Sequence, residues 1–271
     1  MAQDMFESIL TFEEIEKRPW LMFVWAVVLA SIAILISGQI AYRVSIAGQW
    51  FNLSGIFAVL FVIIPSAYYI TLFIKREERL EEISFLKSSK SRFWQEHGSY
   101  IMIMLFYFAG LTLAFSIWSY ALPGDFFEVQ SSKINQIHGI SGAFTQGEFS
   151  SFARVLTNNL QVTLFAFMFS LFFGAGAVFI IAWNASILGV YISQLSRHVL
   201  EIPWWSIFFL PHGLPEIGGY ILAGLAGGIL SAAFLRKNSS RVLKLIVLDS
   251  IKILLVAVAM IFLGAAIEVY L

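Results

Sequence analysis

Cysteine is absent from the chain, which excludes disulfides, thiolate metal sites and a cysteine nucleophile. Charge is nearly as scarce. Only 13% of the residues are charged, against about 25% in soluble domains. The basic and acidic residues cancel to a net charge of zero, so no excess of either sign argues for a nucleic-acid partner. Histidine occurs four times, and no HExxH or comparable ligand spacing arranges it for a metal. No internal repeat and no low-complexity linker is found, and no polar stretch is long enough for a soluble domain.

What fills the space is apolar. Hydrophobic residues make up 59% of the chain, 27 phenylalanines contribute to an aromatic share of 16%, and mean hydropathy is +0.82. The expected class is all-α: a polytopic transmembrane helical bundle. A span takes about 20 apolar residues. Runs of that kind are Trp20–Tyr42, Leu53–Ile74, Tyr100–Leu122, Leu160–Ala182, Ile217–Leu235 and Leu245–Ile267. The first is too long for a cleavable signal peptide and lacks a small-residue cleavage pattern. Ahead of it, residues 1–19 read as a short amphipathic segment, with Phe6, Ile9, Leu10, Phe12 and Ile15 among Glu7, Glu13, Glu14 and Glu16. Residues 20–271 are expected to form one transmembrane domain, with 123–153 as an outer interfacial segment rich in Phe and Gly.

Basic residues orient the bundle. Lys17 and Arg18 precede the first run; Lys75, Arg76, Arg79, Lys87, Lys90 and Arg92 follow the second; Arg236, Lys237, Arg241 and Lys244 precede the last. The stretches 43–52 and 123–153 carry one basic residue each, Arg43 and Lys133. This pattern predicts a cytoplasmic N-terminus and a C-terminus outside, in a multi-pass cell-membrane protein. Six runs do not satisfy it. Between the outer stretch 123–153 and the inner stretch 236–244 the chain must cross an odd number of times, yet only two runs lie between them. The reading therefore places a broken or re-entrant segment around 184–216, with six to seven helices in all.

Pro211-His212-Gly213-Leu214-Pro215-Glu216 lies in that segment. His212 and Glu216 are four apart, but Gly213 and Pro215 argue against a continuous helix through them. An imidazole and a carboxylate at membrane depth are costly unless protein or water satisfies them. Three accounts stay open: a helix N-terminus favouring Pro215 and Glu216, a polar pocket, or a metal site completed from elsewhere by His198 or Glu201. Candidate partners for the pair are Asn184, Asn158 and Asn159. The last two stand at the mouth of the fourth run, on a stripe with Arg154 and Gln161, as an interfacial cap or an interhelical contact. Asn184 reads as a helix C-cap or an intramembrane polar group. Gly174-Ala175-Gly176 permits a kink or close approach in a run that, from 152 to 184, would be about 48 Å as one helix. Gly219, Ala223, Gly224, Gly227 and Gly228 give small-xxx-small spacing, for packing within the chain or for a homodimer.

Taken in order, Val155-Leu-Thr-Asn-Asn-Leu160, Trp183-Asn-Ala-Ser-Ile-Leu-Gly189 and Phe209-Leu-Pro-His-Gly-Leu-Pro-Glu216 resemble the stage II sporulation protein M family, over roughly residues 150–235. Two departures stand out: Ala185 replaces the usual Gly after Asn184, and Pro215 is added to the third motif. The motif matches are Asn158, Asn159, Asn184, Gly189, Pro211, His212, Gly213 and Glu216. The acidic N-terminal segment resembles an archaeal-type branch. The resemblance implies a membrane partner of other proteins, as the founding member is for peptidoglycan-degrading enzymes in spore formers. The expected function is a non-enzymatic membrane scaffold, remodelling factor or partner-recruiting subunit, with no cofactor. Its partners would be membrane lipid and a second copy or another membrane protein. A transporter or channel for a small solute or lipid, with its site at the 184–216 break, is the alternative. An intramembrane hydrolase using His212 and Glu216 ranks below both, because no nucleophile accompanies them.

Overall fold

The computed structural model describes residues 12–40, 43–46, 48–86, 93–141, 148–236 and 240–270. Most of the amphipathic N-terminal segment (1–11), Lys87, Lys90 and Arg92, Phe144, and Lys237 lie outside the described residues. In chain order the elements are α1 (Phe12–Lys17), α2 (Leu21–Ile40), β1 (Arg43–Ile46), β2 (Gln49–Asn52), α3 (Ser54–Leu86), α4 (Phe93–Ala121) and α5 (Glu128–Ser141). They continue with α6 (Glu148–Phe173), α7 (Ala177–Leu195), a 3-10 turn (Val199–Glu201), α8 (Ile202–Phe208), α9 (Leu210–Leu235) and α10 (Ser240–Tyr270). Seven of these helices, α2, α3, α4, α6, α7, α9 and α10, are long and apolar enough to cross a membrane.

The odd crossing comes from a place the hydropathy profile conceals. Leu160–Ala182 is not one span. The chain reverses at Gly174-Ala175-Gly176, ending α6 at Phe173 and starting α7 at Ala177. Gly174 takes φ +71°, a left-handed conformation that costs glycine little, and its N–H donates to the Ser170 carbonyl at 2.7 Å. The Ser170 hydroxyl accepts the first free N–H of α7, from Ala177, at 2.8 Å. A Cβ at Gly176 would stand 2.2 Å from the Phe169 carbonyl oxygen. Glycine is therefore required there by the closeness of the two chain directions. Asn184 sits inside α7, its amide donating to Ile180 O at 2.7 Å, and does not cap a helix end.

The break in 184–216 lies between Ser196 and Phe209, where the 3-10 turn and α8 form a short connection between spans. Helix α9 then runs without interruption through Gly213 and Pro215, which corrects the expectation drawn from those two residues. Pro211 falls in the first turn, where its missing N–H has no intrahelical partner to lose. Pro215, one turn on, removes only the bond to the Pro211 carbonyl, and Pro211 is exposed at the helix end.

Helix α9 is the centre of the bundle. Every residue from Ile217 to Ala233 is buried, with α10 and α6 as its most extensive neighbours and α3 and α7 completing the ring. By contrast α2 shows Val24, Val28, Ile32 and Ile36 outward, each about half exposed. That is the pattern of a helix facing lipid on one side. Two polar contacts tie helices together inside the bundle: Tyr107 donates to Ser66 Oγ at 2.8 Å and Trp118 Nε1 donates to Ser31 Oγ at 2.9 Å.

The end opposite the basic connections is capped by small elements. Strands β1 and β2 pair antiparallel from Arg43↔Asn52 to Ile46↔Gln49, with Gly48 in the turn. Glu128 of α5 accepts the Asn52 N–H at 2.8 Å, and Arg43 pairs with Asp125 at 2.7 Å. Phe126 and Phe127, read from sequence as interfacial, are buried against Gly38 and Phe115. The segment after α4 thus packs onto the bundle through these two rings.

Candidate functional site

Three helices meet at the capped end to assemble a polar cluster. Asn159 comes from α6, Glu216 and Tyr220 from α9, and Glu268 from α10. Asn159 Nδ2 donates to Glu216 Oε1 at 2.5 Å, and Tyr220 OH donates to Asn159 Oδ1 at 2.8 Å. Asn158 Nδ2, on the exposed side, reaches the same Oδ1 at 3.3 Å. The Glu268 carboxyl lies beside that of Glu216, so two acceptor groups adjoin there.

The local geometry explains why these residues meet. Glu216 and Tyr220 are four apart and share a face of α9. Gly264 of α10 lets that face come close: a Cβ there would stand 2.6 Å from Glu216 Cγ and 3.2 Å from the His212 carbonyl. Asn159 is buried at 6% exposure, so its amide has little access to water and both of its ends are used.

The residues singled out from sequence separate into groups. Asn158, Asn159 and Glu216 come together. His212 does not join them: half-buried, its ring meets Phe209 edge-on at 5.6 Å. Asn184 stays bonded to its own helix. Pro211, Gly213 and Pro215 form the first turns of α9, and among the described residues no neighbouring element lies within 4 Å of where a Gly213 Cβ would stand. Gly189 allows α7 to close on Thr112 and Phe115 of α4. On α9, Gly219 meets Ile261 and Ala257 of α10, Gly224 meets Ala177, Gly227 meets Phe167 and Leu171 of α6, and Gly228 meets Ile74 and Gly174. Ala223 is fully buried among them. The small-residue surface is filled by the chain itself. Among the described residues no three His, Asp or Glu side chains are grouped as a metal would need. Glu201 instead accepts the Arg197 N–H at 2.8 Å.

Sequence reading missed Tyr220, Glu268 and Gly264, although the i+4 spacing of Tyr220 from Glu216 was visible. It also missed a second polar cluster at the basic end. Glu77 and His97, each 1% exposed in side chain, pair at 2.8 Å between α3 and α4. Glu78, fully buried, accepts from Arg236 at the end of α9 at 2.5 Å. Arg76 pairs with Glu16 of α1. Glu77 and Glu78 are thus buried although they stand in a stretch of mixed charge.

A seven-span helical bundle with paired polar groups at both ends of its central helix defines an integral membrane protein. Within that class, residues 102–271 match the family described as stage II sporulation protein M. That is more than half of the chain, which therefore belongs to this family. An uncharacterized protein of the archaeon Methanocaldococcus jannaschii is 27% identical over 124 residues, covering 44% of this chain and 70% of the relative. This similarity is in keeping with the archaeal-type branch. No solved structure matches.

Proposed function

We propose that the chain is a non-enzymatic membrane scaffold or partner-recruiting subunit, its basic end in the cytoplasm and its capped end outside. The observation that supports this reading is the solidity of the centre. Seventeen consecutive residues of α9, Ile217–Ala233, are buried, and the helix approaches α6 so closely that a Cβ at Gly227 would stand 2.2 Å from the Phe167 carbonyl oxygen. A path for a solute needs unpaired polar groups lining a water-filled space. Here helix packs on helix. The polar groups at either end are engaged with one another, which suits fastening more than passage.

The carboxyl pair Glu216 and Glu268 favours a second reading, since ionisable groups at membrane depth often mark ion or proton pathways. A hydrolase is less well supported. No hydrogen bond joins His212 to Glu216 among the described residues, and the imidazole packs on a phenyl ring.

Flux in reconstituted vesicles separates the readings. The scaffold reading expects vesicles containing the purified chain to hold protons, potassium ions, phosphate and small sugars as tightly as protein-free vesicles. A leak of any of these that Glu216→Gln removes would overturn it in favour of transport. The orientation is tested by single cysteines at Ser132 and Lys244, with an impermeant reagent expected to reach the first from outside the cell and the second only from within.

A further inference from the structure

Charged side chains at the basic end divide into two sets. Glu77, Glu78 and Glu16 are engaged by His97, Arg236 and Arg76. Lys75 and Arg79, on either side of Arg76 along α3, are exposed and have no hydrogen bond or ion pair among the described residues. With Leu72 and Arg76 they line a cleft of about 340 Å³. The four positions run i, i+3, i+4, i+7 and so form one face of the helix.

The depth of this face is the second observation. Up to Ile74 the helix is apolar, with Ile70, Phe73 and Ile74 buried in the bundle; from Lys75 it is strongly charged. The cleft therefore straddles the boundary between hydrocarbon and headgroup, with Leu72 on the acyl side and the cations on the polar side. Arg76 is held in place by Glu16 and remains about one-third exposed, so one guanidinium is pre-positioned at the cleft. Two unpaired cations, a fixed third and an apolar lower lip suit one chemistry: a phosphate carried at the membrane surface.

We propose that Lys75, Arg76 and Arg79 form a binding site for a phosphate group, that of an anionic phospholipid headgroup whose acyl chains lie along Leu72. The site goes beyond the scaffold reading and does not depend on it, since a transporter would keep the same rim.

The test uses the full chain in nanodiscs of phosphatidylcholine doped with phosphatidylglycerol. Native mass spectrometry counts the phosphatidylglycerol retained as the nanodisc is stripped. Lys75→Gln with Arg79→Gln leaves the Arg76–Glu16 pair intact and is expected to weaken retention by about fivefold per charge removed. Lys75→Arg should retain the lipid. Arg241→Gln with Lys244→Gln removes the same charge from exposed positions at the same end of the bundle, and should change retention by less than about twofold because screening confines the effect to near neighbours. Equal loss from both double variants would overturn the site in favour of diffuse attraction, and no loss from the first would overturn it outright. Inorganic phosphate distinguishes the source: retention that survives it assigns a lipid, whereas displacement that depends on Lys75 and Arg79 supports the site with free phosphate as its occupant.

Discussion

The two ends of α9 are fastened in opposite ways. Glu216 and Arg236 lie twenty residues apart on one helix, about 30 Å along its axis, which is the thickness of the hydrocarbon core. At the Arg236 end each buried carboxylate meets a cationic or imidazole partner from another helix. At the Glu216 end no cation among the described residues is bonded to the carboxyl. Asn159 donates to it, and Glu268 adds a second acid. The ends differ in origin as well: at the basic end Glu16, Arg76, Glu77, Glu78 and His97 precede the family match and only Arg236 falls within it, whereas Asn159, Glu216, Tyr220 and Glu268 all lie within it. Fastening by opposite charge fails when one partner is lost, because the other is left charged and buried. Fastening through an amide has smaller terms and tolerates neutral replacements.

The largest expected effect follows at the basic end. His97→Leu leaves Glu77 buried without its hydrogen-bond partner, and breaking a buried pair in this way costs about 3–5 kcal/mol. Unfolding in mixed micelles titrated with sodium dodecyl sulfate measures it. Adding Glu77→Leu should restore most of the loss, since two apolar groups replace a pair whose desolvation was itself expensive. If the double variant is no more stable than the single, opposite-charge fastening is the wrong description of this end.

How much of this was legible beforehand depends on the range of the signal. The apolar runs, the charge asymmetry and the failed parity were all local in sequence, and they bounded the span count at six to seven. The turn at Gly174 was not readable from hydropathy, because a reversal made by three small apolar residues looks the same as the interior of one long helix. Only the length of the run hinted at it. Pro215 misled because a proline near a helix start loses little, and the start of α9 at Leu210 was not evident. Asn159 stood among the possible partners of Glu216 because polar groups in lipid need each other. Glu268 was out of reach: it lies fifty-two residues beyond Glu216, and only the packing at Gly264 brings α10 alongside. Glu77 and Glu78 sat in a run of mixed charge that looks solvated, and they are buried because His97 and Arg236 arrive from elsewhere.

Crowding the acidic end should cost less than unpairing the basic one. Gly264→Ala places a methyl group 2.6 Å from Glu216 Cγ, so α9 and α10 must part or Glu216 must turn away. Overpacking of this kind costs about 1–3 kcal/mol. A cross-link between cysteines introduced at Ile217 and Ala265 should form more slowly in the variant if the helices part. Unchanged cross-linking with full stability would mean that Gly264 is not what admits Glu216. Tyr220→Phe, which removes one donor to Asn159, should cost about 0.6 kcal/mol, the average for side-chain hydrogen bonds between membrane helices.

The smallest effect is expected from Glu216→Gln. Glutamine keeps an acceptor for Asn159 Nδ2 and supplies an N–H that can donate to Glu268, so the amide contact persists. The exchange adds no volume and leaves no charge without a partner. The change in unfolding free energy should fall below about 1 kcal/mol, within the range of a single interhelical hydrogen bond. A loss from Glu216→Gln as large as that from His97→Leu would show that this end also depends on charge, and the contrast between the two ends of α9 would not stand.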